Sequence, residues 1–99
     1  MQRYDIAIIG GGIVGCCIAR QLARYDVNVA VVEAANDIAC GSSKANGGLV
    51  HGGYDPKSDS MKAQVNARGC ELYSQWSQEL GFAFKRPGSM VLAFNDEDR

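Results

Sequence analysis

Three glycines and one carboxylate in this chain are spaced as a phosphate-binding device needs them. Gly10, Gly12 and Gly15 form Gly-x-Gly-x-x-Gly directly behind the apolar run Ile6-Ala7-Ile8-Ile9 and at the head of a helical stretch. In that context each glycine has a task. Gly10 permits the tight turn out of a strand, where a side chain would resist the backbone angles. Gly12 lets the main chain approach a diphosphate, and Gly15 lets helix and strand pack closely. The first turn of such a helix, here Ile13 and Val14, offers unpaired backbone N–H groups and about half a positive charge from the aligned peptide dipoles. An anionic diphosphate can be held there without Lys or Arg, and residues 6–19 contain neither. Glu33 closes a second predicted strand, Asn28-Val29-Ala30-Val31-Val32. It lies about 20 residues beyond the glycines, where a carboxylate can hydrogen-bond the adenosine ribose. The same charge would repel a 2′-phosphate, so NADP fits worst among the dinucleotides. An isolated glycine pattern could be a turn with no ligand; strand, helix, second strand and terminal acid in register point to a dinucleotide site.

A second stretch carries chemistry of another kind. Residues 41–53 read Gly41-Ser42-Ser43-Lys44-Ala45-Asn46-Gly47-Gly48-Leu49-Val50-His51-Gly52-Gly53, and His51 is the chain's one histidine. Composition alone describes a surface loop, yet the order is too patterned for a linker. Ser42 or Ser43 is placed to cap a short helix and so aim backbone N–H groups at a phosphate. Gly47, Gly48, Gly52 and Gly53 permit close approach of the backbone to a flat ligand.

The elements that must position these groups follow from periodicity. The first helix is expected to run from Gly12 to about Tyr25, with Val14, Ala19, Leu22 and Ala23 laid on the sheet. After a turn at Asp26, the β-branched residues Val27, Val29, Val31 and Val32 predict a strand parallel to the first, joined by a right-handed crossover. A long helix is expected from Pro56 and Asp59 to about Leu80, with Gly81 as its stop. Met61, Val65, Leu72, Trp76 and Leu80 would form its packing face, and Gly69 would mark a close contact. Phe82-Ala83-Phe84 and the stretch 89–94 predict strands around Pro87-Gly88, with Lys85 and Arg86 as solvated charges. The fold class is therefore α/β: a Rossmann-like βαβ unit with a parallel sheet, plus a long helix and a C-terminal strand pair.

The 99 residues carry a net charge of −1 and are 46% hydrophobic, an ordinary globular composition. There is no basic run to suggest nucleic acid, and no apolar run long enough to span a bilayer or to form a signal peptide. Peripheral membrane association is left open. Cys16, Cys17, Cys40 and Cys70 match neither a redox pair nor a zinc site; Cys16 and Cys17 read as core residues, and the set suggests a reducing cytoplasm. One βαβ unit buries a modest core and leaves open sheet edges. Residues 1–99 are accordingly expected to be the N-terminal segment of a larger domain, folding poorly alone.

Taken together, the sequence resembles the N-terminal part of FAD-dependent glycerol-3-phosphate dehydrogenases and oxidases, within the D-amino-acid-oxidase-like flavoprotein superfamily. The residues that carry the resemblance are the glycine elbow, Glu33, Gly41-Ser42-Ser43, Asn46-Gly47-Gly48-Leu49-Val50-His51-Gly52-Gly53, and the segment 80–95. The resemblance implies FAD, held by Gly10, Gly12, Ile13, Val14, Gly15, Glu33, Ser42, Ser43, Asn46, Gly47, Gly48, Leu49 and His51. It implies hydride transfer from the carbon bearing a secondary hydroxyl of glycerol 3-phosphate to the flavin, giving dihydroxyacetone phosphate. His51 would lie near the flavin as the base that takes the hydroxyl proton, a role for which imidazole is suited near neutral pH. Basic residues outside these 99 would hold the substrate phosphate. Tyr54-Asp55-Pro56 follows the His-Gly-Gly, as in the smaller oxidase-like members, and leaves the electron acceptor open between oxygen, a quinone and a partner flavoprotein.

Three other readings compete. A related flavoenzyme could oxidise another 2-hydroxy acid, such as 2-hydroxyglutarate, or an amine. A non-catalytic dinucleotide-binding module or an NAD-linked dehydrogenase would explain the glycine elbow and Glu33, but neither has a use for residues 42–53.

Overall fold

A computed structural model describes residues 1–96. The elements run in the order β1 (Ile6–Ile9), α1 (Ile13–Leu22), β2 (Val29–Val32) and α2 (Met61–Leu80). They divide between two compact units, Met1–Gly48 and the chain from Leu49 onward.

The first unit is the expected βαβ arrangement. β1 and β2 pair in parallel, with Ile6 opposite Val29 and Ile9 opposite Val32. The register is pinned at its open end by Asp5, whose carboxylate accepts the Asn28 N–H at 2.8 Å. At the other end the Gly10 N–H donates to the Val32 carbonyl at 2.8 Å, which extends the ladder into the glycine turn. Ile8 is the buried centre of this unit. α1 is shorter than periodicity predicts: it stops at Leu22 with Ala23 as its cap, and Arg24 and Tyr25 form turns with N–H bonds to Gln21 and Leu22. Its covered face also differs. Val14 is 69% exposed, whereas Gly15 is buried. Cys16, Cys17, Ala19 and Leu22 are half-buried. Gly15 removes the bulk that would hold the helix off the strand, so the contact line passes through the glycine and not through Val14.

In the second unit, α2 begins later than Pro56 and Asp59 suggest. Its N-cap is Ser60, whose Oγ accepts the Ala63 N–H at 3.1 Å, a type of bond worth about 1 kcal/mol. Gly81 ends the helix at φ +73°, the left-handed conformation that favours glycine. The stripe expected to pack is covered only in part: Leu72 and Trp76 are half-buried, whereas Met61, Val65 and Leu80 are exposed. Ala63 is buried, and Cys70, Tyr73, Ser74, Trp76 and Ser77 are half-buried. Gly69 faces open space and marks no close contact.

The expected C-terminal strand pair is absent among the described residues. Residues 82–86 instead turn back onto α2. Tyr73 meets Phe82 edge-on at 6.1 Å between ring centroids and Phe84 at 5.5 Å. Arg86 is not a merely solvated charge. Its Nη2 donates to the Cys70 carbonyl at 2.6 Å, its Nε donates to Ser74 Oγ at 2.8 Å, and its guanidinium lies 5.2 Å from the Phe84 ring centre. These contacts draw the segment to a helix, and its strand propensity yields to them, as such propensities do. Met90, Val91, Leu92 and Phe94 remain exposed.

Candidate functional site

The site residues of the first unit converge at the C-terminal end of β1. Gly10 takes φ +106°, open only to a residue without a Cβ. The chain then enters α1 through Gly12, which caps the helix with no side-chain hydrogen bond of its own. That bond comes from 30 residues downstream: Ser43 Oγ accepts the Ile13 N–H at 2.9 Å. The expectation that Ser42 or Ser43 caps a short local helix is thus corrected. Residues 42–44 form turns, and Ser43 caps α1. A Cβ on Gly12 would stand 3.0 Å from Ser43 Oγ, so the bare backbone here admits the serine.

Glu33 reaches the elbow from the end of β2. Its Oε2 accepts the Gly11 N–H at 2.7 Å and its Oε1 accepts the Ala35 N–H at 2.8 Å. These N–H groups, that of Ala35 first and that of Gly11 next, hold its carboxyl below the ordinary value of 4.5. The carboxylate is oriented by two main-chain donors while keeping lone pairs for hydroxyl groups. Sequence reasoning missed the part played by Gly11. Its N–H orients Glu33 and its carbonyl accepts the Ala39 N–H at 2.9 Å. A Cβ there would meet Glu33 Oε2 at 3.2 Å. The available signal was a third consecutive glycine where the pattern requires only two flanking ones.

A folded-state carboxyl value below the unfolded one adds stability that is present above the unfolded value and is lost as pH falls through the folded one. The stability difference between the wild type and Glu33→Gln is therefore expected to be full above pH 4.5 and to fade below it. Urea unfolding of the two apoproteins across that range checks this; a difference independent of pH would show that the carboxylate is not held as described.

Asn46 closes the loop behind Ser43. Its Nδ2 donates to the carbonyls of Ser42 and Ser43 at 2.8 and 2.9 Å, and its Oδ1 accepts the Gly48 N–H at 2.9 Å. Gly47 and Gly48 have open space where a Cβ would stand. Leu49 and His51 belong to the second unit, where both are exposed on chain outside helix and strand.

The arrangement in the first unit fits a dinucleotide. The N–H groups of Val14 and Gly15 stand in the first turn of α1, where no earlier carbonyl of the helix can take them, while that of Ile13 is taken by Ser43. No acidic side chain lies in that turn to oppose an anion, and a fixed carboxylate flanks it. The donor set is therefore suited to a diphosphate with an adjoining ribose.

Comparison with known proteins agrees with this reading. The chain is 45% identical over 95 residues to a glycerol 3-phosphate dehydrogenase of Caloramator mitchellensis, covering 96% of this chain and 20% of that protein. It is 34% identical over 100 residues to a glycerol 3-phosphate oxidase of Mycoplasma genitalium, covering 100% of this chain and 26% of that protein. It is also 33% identical over 99 residues to the human mitochondrial L-2-hydroxyglutarate dehydrogenase, covering 98% of this chain and 21% of that protein. The chain thus spans about a quarter or less of the length of these relatives. Residues 5–99 match the family described as FAD dependent oxidoreductase, and a chain with this elbow, this oriented carboxylate and this extent of match belongs to that FAD-dependent family.

Proposed function

We propose that the full protein oxidises sn-glycerol 3-phosphate to dihydroxyacetone phosphate, with this chain as its N-terminal FAD-binding segment. The observation that carries the substrate is the 45% identity to a glycerol 3-phosphate dehydrogenase across nearly the whole chain. Bound FAD supplies the two-electron acceptor for the hydrogen on the carbon that carries the substrate hydroxyl. The chain's own residues do the rest. Gly10 makes the turn, Gly12 lets the main chain approach the diphosphate and Gly15 lets α1 lie on β1, and the N–H groups at the head of α1, with Ser42 and Ser43 beside them, bind it. Glu33 hydrogen-bonds the ribose. Residues 47–49 lie along the cofactor, and His51 takes the proton from the substrate hydroxyl as the C–H bond breaks. The electron acceptor is oxygen or a quinone, and the protein works in the cytoplasm with any membrane association peripheral.

A second reading has specific support: the 33% identity to L-2-hydroxyglutarate dehydrogenase, over almost the same residues, favours a 2-hydroxy acid. Both substrates place a secondary hydroxyl beside an anionic group, so the segment in hand serves either. Anaerobic mixing of the purified full-length protein with each compound separates them. Glycerol 3-phosphate is expected to bleach the flavin absorbance, and L-2-hydroxyglutarate to leave it at least about 100-fold slower, the discrimination a site built to pair one polar group can give. Bleaching by the hydroxy acid alone would transfer the assignment to it.

A further inference from the structure

Asn46 lies among the residues expected to touch the cofactor, but its hydrogen bonds give it another task. A carboxamide has two donors and two acceptor lone pairs. Both Asn46 donors are committed to the carbonyls of Ser42 and Ser43, and Oδ1 holds the Gly48 N–H. No donor remains for a phosphate or a ring. The carbonyls it grips flank the peptide that carries the Ser43 side chain, and the Ser43 hydroxyl reaches Ile13 at the mouth of α1. The turn is closed on its other side by the Lys44 and Ala45 N–H groups, which donate to the Gly41 carbonyl at 3.0 and 3.2 Å.

We infer that Asn46 is a positioning residue: it braces residues 42–48 so that the Ser43 hydroxyl stays on the Ile13 amide of α1 and sets the donor array that receives the FAD diphosphate. The inference rests on the dinucleotide reading of the elbow and assigns Asn46 no contact with the cofactor. While its oxygen accepts from Ile13, the Ser43 hydroxyl keeps its proton for an acceptor on the anion. Losing the brace frees the serine from both. Asn46→Asp is the sharper probe, because it keeps an acceptor for Gly48 and replaces the two N–H donors by a single oxygen facing two carbonyls. Lowering the pH protonates that carboxyl and returns one donor.

The test is a double-mutant cycle in the full-length protein, reading FAD affinity of the apoprotein by flavin fluorescence titration. Asn46→Ala and Ser43→Ala are each expected to weaken binding about 10-fold, the scale of a hydrogen bond to a charged group. Acting through one another, they should together weaken it by little more than either alone, not by about 100-fold. In Asn46→Asp the loss should shrink, relative to wild type at the same pH, as pH falls through the carboxyl range. Multiplying losses would show that Asn46 contacts FAD directly and overturn the inference, as would an Asn46→Ala protein that binds as tightly as wild type. If Asn46→Ala does not fold, Asn46→Asp takes its place in the cycle with the same two outcomes. Failure of the wild-type apoprotein to take up FAD would instead overturn the dinucleotide reading itself, and the inference with it.

Discussion

Gly15→Ala in the full-length protein is expected to abolish the retention of FAD through purification. A Cβ at this position falls on the Gly10 carbonyl oxygen, well inside contact distance, and comes within 3.2 Å of the Gly10 carbonyl carbon and 3.3 Å of Ile8 Cγ2. The principal clash is with backbone, which cannot swing aside as the tip of a side chain can. Gly10 is itself fixed, by its N–H bond to Val32 and by a φ of +106° that its neighbours do not share. Relief therefore comes by lifting α1 from β1 or by unmaking the turn. Either movement takes the Ile13 N–H away from Ser43 and the Gly11 N–H away from Glu33. Overpacking of a fitted contact costs about 1–3 kcal/mol and occasionally more, and a collision with main chain belongs at the upper end. At about 1.4 kcal/mol per tenfold, FAD affinity should fall at least about 100-fold. Gly41→Ala is the control, since a Cβ there meets nothing within 4 Å, and its affinity should stay within a few-fold of wild type. The measurements are the flavin-to-protein absorbance ratio after gel filtration and a fluorescence titration of each apoprotein. A Gly15→Ala protein that emerges yellow, with near wild-type affinity, would mean that α1 does not approach β1 through this glycine.

The contrast between Gly15 and Ser43 shows what a sequence gives up readily. Gly15 acts through neighbours a few residues away, so its spacing from Gly10 and from the apolar run of β1 already states its role. The parallel pairing of β1 and β2, the helix between them and the stop at Gly81 were legible for the same reason: each depends on a local pattern and a turn residue. The acid at Glu33 was legible as a position. Its orientation by the N–H groups of Gly11 and Ala35 was not, because main-chain donors leave no mark in residue type. Ser43 looked like the cap of a helix close by, and capping chemistry was the right inference. Its partner, however, is the first helix, reached across 30 residues, and no periodicity records a contact of that length. α2 illustrates a different loss. Its apolar spacing is helical, but Tyr73 is met by Phe82 and Phe84, and the Cys70 carbonyl and Ser74 hydroxyl by Arg86. The strand propensity of residues 82–84 and the solvated reading of Arg86 failed together because one set of contacts overrides both.

His51→Ala is expected to do the reverse of Gly15→Ala: to leave FAD bound and slow its reduction by substrate. The hydrogen bonds that build the elbow, Gly10 to Val32, Gly11 to Glu33 and Ile13 to Ser43, involve no atom of the second unit. His51 is exposed and lies outside helix and strand, so its truncation opens no cavity in a core. Affinity for FAD should therefore change by no more than a few-fold. The rate should change far more if the imidazole takes the hydroxyl proton while the C–H bond breaks, since general-base assistance is worth about 100- to 10,000-fold. His51→Gln sharpens the test, because it keeps a hydrogen-bonding group of similar reach without a basic nitrogen. If hydrogen bonding to the hydroxyl were sufficient, the glutamine variant would recover most of the rate; if proton acceptance is the role, it should be nearly as slow as the alanine variant. Both variants should gain rate as pH rises and hydroxide substitutes for the missing base, and wild type should gain much less. Stopped-flow reduction of the three flavoproteins by glycerol 3-phosphate, across pH and without oxygen, reads all of this directly. Unchanged reduction in His51→Ala would remove the histidine from the chemistry while leaving the cofactor site intact. Loss of FAD from the same variant would make His51 a binding residue.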